Sequence, residues 1–410
     1  MPWTVNLERL KKDIEELGRI GQDPNPNGGI SRPSFSIADL DAREWLKEKI
    51  LAAGLELRQD GAGNIFGHWG EGEKTVMAGS HIDTVLNGGR FDGAIGVLAA
   101  LECLRRLKEE GFSPKNSLEV ASFTDEEGNL VGDFLGSRAF TGRTDKELLE
   151  KGVTSYGQSL SELLEETEFS IESIMETQKE RPDIEAFLEL HIEQGSVLET
   201  EGKSIGIVER IAGKHYWSCR FIGQSGHGGT TPIELRHDAF LGLADFTLRS
   251  TQYVATHHYG STLTIGKVHT FPGSFSVIPG VVEFSLDFRS PAKDELDKIS
   301  SYNLALAEDI AATRGLRFEY IPLDHTEPVD IPSRLKNTLE SGCKDLGFSF
   351  MSISSGAGHD AQILSSITDA GMIFIPCEDG ISHSPEENIQ WEDLERGANL
   401  LLYSLVKLSE

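Results

Sequence analysis

The stretch LEVASFTDEEGN, residues 118–129, joins a predicted buried strand to a cluster of acids. Its first half, from Leu118 to Phe123, is mostly apolar and rich in residues that favour extended structure. Asp125, Glu126 and Glu127 follow almost at once. Three adjacent carboxylates at the end of a buried strand repel one another and resist desolvation. The stretch therefore predicts a strand whose end contributes acidic residues to a functional site.

Alternating strands and helices surround this stretch. Residues 75–85 predict a nearly continuous apolar strand, and residues 93–111 predict a helix that is apolar first and then basic. Residues 5–18 and 39–54 predict amphipathic helices. Because apolar strands alternate with helices, we predict an α/β catalytic domain with a mixed, largely parallel sheet covered by helices.

The pattern changes near residue 212. From there the predicted order is strand, helix, two strands, helix and strand, which is the ferredoxin-like βαββαβ arrangement. These elements are predicted at residues 214–223, 236–255, 261–271, 281–290, 292–315 and 316–323. The first pattern then resumes. The sequence therefore predicts a catalytic domain in two segments, residues 1–211 and 327–410, with an inserted domain at residues 212–326.

Composition limits the possible partners. The 410 residues include 66 acidic and 38 basic side chains, which gives a net charge of −28. That charge argues against binding to nucleic acid or to anionic membranes, and no apolar run is long enough to span a bilayer. The first residues show no secretory signal, and the four cysteines form no C-x-x-C pair. We therefore expect a cytoplasmic protein.

Polar residues collect where the predicted strands end. In an open α/β sheet the ligand crevice lies beyond the carboxyl ends of the strands, so distant parts of the chain converge there. Besides the three acids, the candidates are His81, Asp83, Asp92, His191, Glu193, Gln194, His359, Asp360 and His383.

Imidazole and carboxylate groups suit zinc and related divalent metals. Three histidines and two carboxylates are too many for one four-coordinate ion that keeps an open position, but they suit two ions that share a bridging carboxylate. A cation bound by one acid of the triplet would offset the repulsion within it. A neighbouring acid would then be free to act as a general base.

These motifs resemble those of the two-metal amidohydrolases, which include N-carbamoyl-L-amino acid hydrolases, β-ureidopropionases and allantoate amidohydrolases. The family is part of the wider aminoacylase and carboxypeptidase clan. The resemblance covers almost the whole chain. The matching segments are GGISRPSFS, GSHIDTVLNGGRFDGAIGVLAALE, FTDEEGN, LHIEQG, GHGGTTP, VIPG, LDFRS, SGAGHDA and GISHSPEE.

The resemblance implies a metal ligand at each of five positions. Asp92 would bridge two divalent ions. His81 and His191 would complete one metal site, and Glu127 and His383 would complete the other. Zinc, manganese, cobalt and nickel all tolerate such ligands.

The resemblance also implies catalytic roles beside the metals. Glu126 would be the general base, and Asp83 would hydrogen-bond His81 and orient it. The histidine at position 191 is the form found in the carbamoyl-cleaving branch of the clan, which favours that branch over the peptidases.

The inserted domain would correspond to the family's lid and dimerisation domain, which implies a homodimer. Arg289 would bind the substrate carboxylate through a bidentate guanidinium, although an arginine at a strand end paired with an acid is the alternative. His227 would polarise the scissile carbonyl or stabilise the oxyanion, in its own subunit or in its partner's. Gln194 would contact the ureido group or the carboxylate.

Two further positions complete the predicted substrate site. Gly358 and His359 would line the pocket, with a structural hydrogen bond in the loop as the alternative for His359. Ser276 departs from the family pattern, in which asparagine is common before VIPG. Serine is shorter and lacks the paired donor and acceptor of an amide, so this position bears on substrate choice.

The predicted reaction is metal-dependent hydrolysis of a carbamoyl (ureido) C–N bond in an N-carbamoyl-L-amino acid or a related ureido acid. It would release ammonia, carbon dioxide and the amino acid. Allantoate is an alternative substrate, and the same site suits N-acyl amino acids or dipeptides. A catalytically silent small-molecule binder with the same fold is the non-enzymatic alternative.

Overall fold

The computed structural model describes residues 3–25 and 27–410. This part of the chain divides into two compact units. The first comprises the described residues up to Glu209 together with Ile331–Ile353 and His359–Glu410, and the second comprises Arg210–Asp330 and Ser354–Gly358. The predicted boundaries at 211/212 and 326/327 lie a few residues from these, and the assignment of 354–358 to the second unit was not predicted.

The helices are α1 Leu7–Leu17, α2 Ile37–Ala52, α3 Ala94–Glu109, α4 Leu135–Thr141, α5 Lys146–Lys151, α6 Leu160–Leu164, α7 Ile171–Glu176, α8 Val197–Thr200, α9 Ala239–His257, α10 Lys293–Arg314, α11 Ser333–Leu346, α12 Asp360–Leu364 and α13 Trp391–Ser409. Short 3₁₀ turns lie at Thr177–Glu180, Ile233–Leu235 and Glu378–Gly380.

The strands are β1 Glu56–Gln59, β2 Ile65–Trp69, β3 Thr75–His81, β4 Ser117–Phe123, β5 Ile184–Ile192, β6 Ile205–Ile211, β7 Gly213–Ile222, β8 Gly226–His227, β9 Thr262–Thr264, β10 Val268–Phe271, β11 Val277–Ile278, β12 Val281–Ser290, β13 Arg317–Thr326, β14 Val329–Asp330, β15 Phe350–Ser355 and β16 Ala370–Ile375.

The first unit is built on a mixed sheet with the order β1-β2-β4-β3-β5-β16-β6, and β15 also pairs with β6. The four central strands, β4, β3, β5 and β16, run parallel, whereas the β1–β2, β2–β4 and β16–β6 pairs are antiparallel. Every residue of β3, β4 and β16 is buried, as expected for parallel strands covered on both faces. The predicted α/β fold with helices and a partly parallel sheet is confirmed.

Four short helices between β4 and β5, α4 to α7, were not predicted from the sequence. They have five to seven residues each, too few for a clear helical period. Capping boxes begin two of them, at Ser159 and Ser170. Leu149, Leu160 and Ile174 are buried in a separate small core. Tertiary packing therefore stabilises segments that have weak intrinsic helix signals.

The second unit contains an antiparallel sheet with the order β10-β12-β7-β13, and β9 also pairs with β12. The strand predicted at 261–271 is two short strands. Thr264 pairs with Asp287 and Val268 pairs with Phe284, so three residues of one strand face two of the other. This β-bulge includes Gly266, and the extra residue interrupts the ladder.

The four cysteines are buried and free, in line with their scattered positions. Among the described residues, no helix is long and apolar enough to cross a membrane.

Candidate active site

The candidate site of the first unit lies where parallel strands β3, β4 and β5 end. His81 is the last residue of β3, the acid triplet follows β4, and His191 is the penultimate residue of β5. Parallel strands bring their carboxyl ends to one edge of a sheet. Residues more than a hundred positions apart therefore meet at this edge.

Asp92 lies at the centre of the site and presents its two oxygens to different histidines. Oδ1 is 3.1 Å from Nε2 of His191 and 3.6 Å from Nε2 of His81. Oδ2 is 3.3 Å from Nε2 of His383. One carboxylate thus faces two separate groups of nitrogen ligands.

Two acids of the triplet face these two groups. Oε2 of Glu127 is 3.5 Å from Nε2 of His383. Oε2 of Glu126 is 3.6 Å from Nε2 of His81. The described residues therefore include the groups His81–Asp92–His191 and Asp92–Glu127–His383, whose ligand atoms lie within 4.8 Å of one another and could each hold a metal ion.

The third acid turns away. Asp125 has a backbone φ of 57°, a conformation that aspartate adopts more readily than most residues. Its carboxylate accepts hydrogen bonds from the backbone N–H groups of Asn129 and Leu130. Asp125 therefore shapes the loop that presents Glu126 and Glu127.

The two buried histidines have a fixed ring orientation. Nδ1 of His81 donates to the backbone carbonyl of Asp83 at 3.0 Å, and Nδ1 of His191 donates to the carbonyl of Ile192 at 2.9 Å. A carbonyl only accepts, so each Nδ1 carries a proton and each Nε2 is the nitrogen that faces Asp92. Among the described residues, the buried Nε2 of His81 has no hydrogen-bond partner. A buried ring nitrogen beside carboxylates fits a metal ligand.

Charge in the site is unevenly distributed. Burial opposes ionisation of Asp92, but the neighbouring histidines, His191 foremost, outweigh it and hold the pKa of Asp92 well below its usual value. Burial raises the pKa of Glu126 well above its usual value and, with the nearby Asp92, raises that of Glu127 to about 7. The hydrogen bond to Asp92 raises the pKa of His383 to about 9. A cation would favour the ionised carboxylates and displace the imidazole proton.

Asp83 hydrogen-bonds His81 through its main chain. Its backbone carbonyl, rather than its carboxylate, accepts the proton of His81 Nδ1, and its Oδ1 is 3.6 Å from that nitrogen. The carboxylate instead accepts the backbone N–H groups of Glu126 at 3.4 Å and Glu127 at 3.3 Å. Asp83 therefore connects the ring of His81 to the loop of Asp125, Glu126 and Glu127, which we call the acid loop.

Gln194 and His359 also lie in the first unit. Nε2 of Gln194 donates to Oδ2 of Asp92 at 2.7 Å and is 3.4 Å from Nε2 of His383. The ring of His359 is 1% exposed, and its centroid is 4.7 Å from that of His191. Glu193 only caps the next turn, because its carboxylate accepts the N–H groups that begin α8.

The second unit carries the other predicted substrate residues. His227 pairs with Val277 in the two-stranded ribbon β8–β11, and the carbonyl of Ser276 accepts the N–H of Gly228 at 2.7 Å. The ribbon therefore places Ser276 near His227. Nδ1 of His227 accepts the N–H of Gly229 at 3.1 Å, which leaves its Nε2 as the nitrogen that carries the proton.

Arg289 donates hydrogen bonds to groups within the second unit. Nε donates to both carboxylate oxygens of Asp287 at 3.1 Å, Nη2 donates to the hydroxyl of Tyr216 at 2.9 Å, and Nη1 donates to the carbonyl of Gly356 at 3.1 Å. The acid-paired alternative is therefore present. The last contact places Arg289 beside the segment that contains Gly358.

The family model described as "Peptidase family M20/M25/M40" matches residues 77–407. The chain belongs to this family. Two relatives and one solved structure match this chain over nearly its whole length. The chain is 38% identical to the N-carbamoyl-L-amino-acid amidohydrolase of Pseudomonas sp. (strain NS671), over 98% of this chain and 99% of that protein.

The chain is also 35% identical to the allantoate amidohydrolase of Bacillus subtilis (strain 168), over 97% of this chain and 96% of that protein. It superposes with a TM-score of 0.87 on the crystal structure of a hydantoinase/carbamoylase family amidase from Burkholderia multivorans, at 32% identity, covering 99% of this chain and 98% of that one. The family resemblance inferred from the motifs is confirmed.

Two residues that form hydrogen bonds with Asp92, Glu387 and Ser382, were not predicted from the sequence. The Oε1 atom of Glu387 accepts the backbone N–H groups of Phe91 at 2.8 Å and of Asp92 at 3.2 Å. The hydroxyl of Ser382 donates to Oδ2 of Asp92 at 2.8 Å. Both lie in the motif GISHSPEE, where their spacing around His383 was the available signal.

Gly93→Ala is expected to weaken metal binding by at least about 10-fold. Changes to groups that orient a metal ligand typically lower metal affinity by about that factor, and the added methyl group would push against His81. Gly93 has a φ of 61°, and an added Cβ would lie 2.2 Å from Nε2 of His81. Gly111→Ala is the matched control, since Gly111 has a φ of 69° and nothing within 4 Å of the added Cβ. Both positions have a positive φ, but only the Gly93 variant places an atom against His81. Equal metal affinity of the two variants in a calorimetric titration would therefore contradict the prediction.

Proposed function

We propose that the chain is a metal-dependent hydrolase of a carbamoyl (ureido) C–N bond in an N-carbamoyl-L-amino acid or a related ureido acid. The reaction releases ammonia, carbon dioxide and the amino acid. The observation that carries the proposal is the position of Asp92, which presents one oxygen to His81 and His191 and the other to His383 beside Glu127.

Two divalent cations are the proposed cofactors. His81, His191 and Asp92 would hold one, and Glu127, His383 and Asp92 would hold the other. Zinc, manganese, cobalt and nickel are compatible with this set of nitrogen and oxygen ligands. When bound, the cations polarise the ureido carbonyl and lower the pKa of the attacking water.

Glu126 is the proposed general base. Its carboxylate lies at the His81 side of the cluster, and Asp83 holds its backbone N–H. Glu126 takes a proton from the attacking water and passes it to the leaving nitrogen. Its burial, at 8% exposure, keeps bulk water from competing for that proton.

The second unit is the proposed ferredoxin-like lid, inserted at residues 212–326. His227 stabilises the oxyanion through its Nε2 proton. Arg289 pairs with the substrate carboxylate, and its bonds to Asp287 and Tyr216 orient the guanidinium in advance. Ser276 lies on the same ribbon as His227, which supports a role in substrate choice. In the first unit, Gln194 and His359 would contact the substrate. Gly358, the residue before His359, would line the same pocket.

Homodimerisation through the inserted domain is also proposed. The strand β13 lies at the edge of its sheet. Its side chains Tyr320, Ile321 and Leu323 are 39%, 65% and 66% exposed. An exposed apolar edge strand is a favourable site for pairing with a second chain. We expect a cytoplasmic location.

Allantoate is the second candidate substrate. The observation that favours it is the 35% identity to the allantoate amidohydrolase of Bacillus subtilis, close to the 38% identity to the N-carbamoyl-L-amino-acid amidohydrolase. Allantoate and N-carbamoyl-L-amino acids both carry a ureido group next to a carboxylate, so the same site residues could act on either substrate.

Ammonia release by the metal-loaded protein tests the proposal. The panel contains N-carbamoyl-L-amino acids, N-carbamoyl-β-alanine and allantoate, with N-acetyl amino acids and dipeptides as controls, and primary amine is followed in parallel. We expect ammonia from a ureido substrate and none from the controls. Amine without ammonia, from an acyl or peptide substrate, would move the protein to the acylase or peptidase branch.

A further inference from the structure

A buried arginine lies outside the set of proposed site residues. Arg32 is 1% exposed. Its Nε donates to the carbonyl of Ile82 at 2.6 Å, and its Nη1 donates to the carbonyls of Leu17 at 3.1 Å and Ile20 at 2.8 Å. Each of these three hydrogen bonds goes to a carbonyl oxygen of the main chain. A buried cation with such partners is rare because desolvation is costly.

The backbone of Arg32 binds the same turn as its side chain. The N–H of Arg32 donates to Oγ1 of Thr84 at 2.9 Å, and the N–H of Thr84 donates to the carbonyl of Arg32 at 3.1 Å. Together with the Nε bond to Ile82, these contacts hold the three-residue turn 82–84 on both sides of Asp83. The other end of the guanidinium ties this turn to the carboxyl end of α1.

This turn positions both halves of the proposed catalytic machinery. The carbonyl of Asp83 receives the Nδ1 proton of His81, and the carboxylate of Asp83 receives the N–H groups of Glu126 and Glu127. On the far side, Nδ2 of Asn129 donates to the carbonyl of Thr84 at 3.3 Å. A shift of the turn would therefore move a metal ligand and the acid loop together.

We propose that Arg32 is a positioning residue, which holds turn 82–84 so that His81, Glu126 and Glu127 keep the geometry needed for metal binding and proton transfer. This inference rests on the proposed function for its catalytic part, whereas its metal-binding part stands independently of the substrate.

Charge and shape both favour arginine at this position. The carboxyl end of a helix carries partial negative charge, which stabilises a nearby cation. Burial lowers the pKa of Arg32 to about 10, against the opposing effect of Asp39 and Asp83, so the side chain remains charged at neutral pH. Its planar fork reaches Ile82 and the end of α1 at once, whereas a lysine has a single ammonium for the same carbonyls.

Arg32→Lys is the test, and Arg105→Lys is the matched control. Arg105 is also a buried arginine, 9% exposed, but it lies on α3 and pairs with Asp13. Three measurements are made on the full-length, zinc-loaded protein: release of Zn²⁺ to a chromogenic chelator, kcat and KM for ammonia release, and thermal unfolding.

For Arg32→Lys we expect Zn²⁺ release about 10-fold faster than in the wild type, a kcat lowered by about 10- to 100-fold and a KM within about 3-fold. For Arg105→Lys we expect wild-type Zn²⁺ release and kcat, whatever its unfolding temperature. A purely structural role would lower the unfolding temperature of both variants alike and leave Zn²⁺ release unchanged. Equal Zn²⁺ release from the two variants would overturn the inference.

A second variant covers the case in which Arg32→Lys does not fold. Thr84→Val removes the hydroxyl that accepts the Arg32 N–H and donates to the carbonyls of Val85 and Ile30. It should change Zn²⁺ release in the same direction, by about 3-fold or more. Wild-type release from Thr84→Val would then overturn the inference. If the wild type releases no ammonia from any ureido substrate, the proposed function fails while the Zn²⁺ measurement still decides the role of Arg32.

Discussion

Glu126→Gln is expected to lower kcat for ammonia release by about 1000-fold or more, while bound metal stays near the wild-type content. General acid–base catalysis contributes about 10²- to 10⁴-fold, and an amide takes no proton from water at neutral pH. Glutamine has the same length and keeps the backbone N–H that Asp83 accepts. The loop should therefore keep its shape while the proton transfer is lost.

Two measurements check this expectation, the metal content of the purified protein and kcat over a range of pH. Glu119→Gln is the control, since Glu119 is a buried acid of β4, the strand that precedes Glu126. It is 2% exposed and pairs with Arg58 and His68. That variant should lose stability but keep its turnover below its unfolding temperature. A Glu126→Gln protein with most of its activity would assign the base to another residue.

Asp92→Asn is expected to lose at least one bound cation per chain and to lower kcat by at least about 1000-fold, since the metal contribution is worth several kcal/mol. Asparagine has nearly the same shape but only one oxygen, and its NH₂ group cannot bind a cation. The residue faces His191 through Oδ1 and His383 through Oδ2. Both sides therefore lose the negative charge of Asp92, and one of them also loses its oxygen ligand.

Metal analysis of the dialysed protein, with turnover on the best ureido substrate, measures both effects. Asp13→Asn is the control, because Asp13 is another buried aspartate, 3% exposed, whose partners are Lys49 and Arg105. It should lower stability without changing the metal content. Full metal occupancy in Asp92→Asn would contradict a bridging role for Asp92.

The acid triplet shows how far the sequence alone could go. Its position after an apolar strand indicated a cluster of acids at a sheet edge, because strand periodicity and apolar composition are local properties of the chain. The strand pattern did not distinguish the roles of the three acids, which only the family resemblance implied. The geometry behind these roles depends on the positive φ of Asp125, which turns that side chain into its own loop and directs Glu126 and Glu127 towards different histidines.

The second unit gives a similar contrast. Alternating patterns predicted the strand segments and their order, since a period of two is visible in any short stretch. The bulge that includes Gly266 was not predicted, because it exists only relative to the partner strand β12. The short helices α4 to α7 were missed because burial, rather than a helical period, stabilises them.

By itself, the sequence determined the family, the α/β class and the residue types that collect at strand ends, because each of these follows from local composition and from motifs along the chain. Only the tertiary structure decided which oxygen of Asp92 faces which histidine and that the backbone carbonyl of Asp83 accepts the His81 proton. It also decided that Arg32 holds the turn 82–84. The contacts of Asp92 with His383 and of Arg32 with Ile82 join residues far apart in the chain. The geometry of all these contacts depends on strand register and loop conformation, which no single segment specifies.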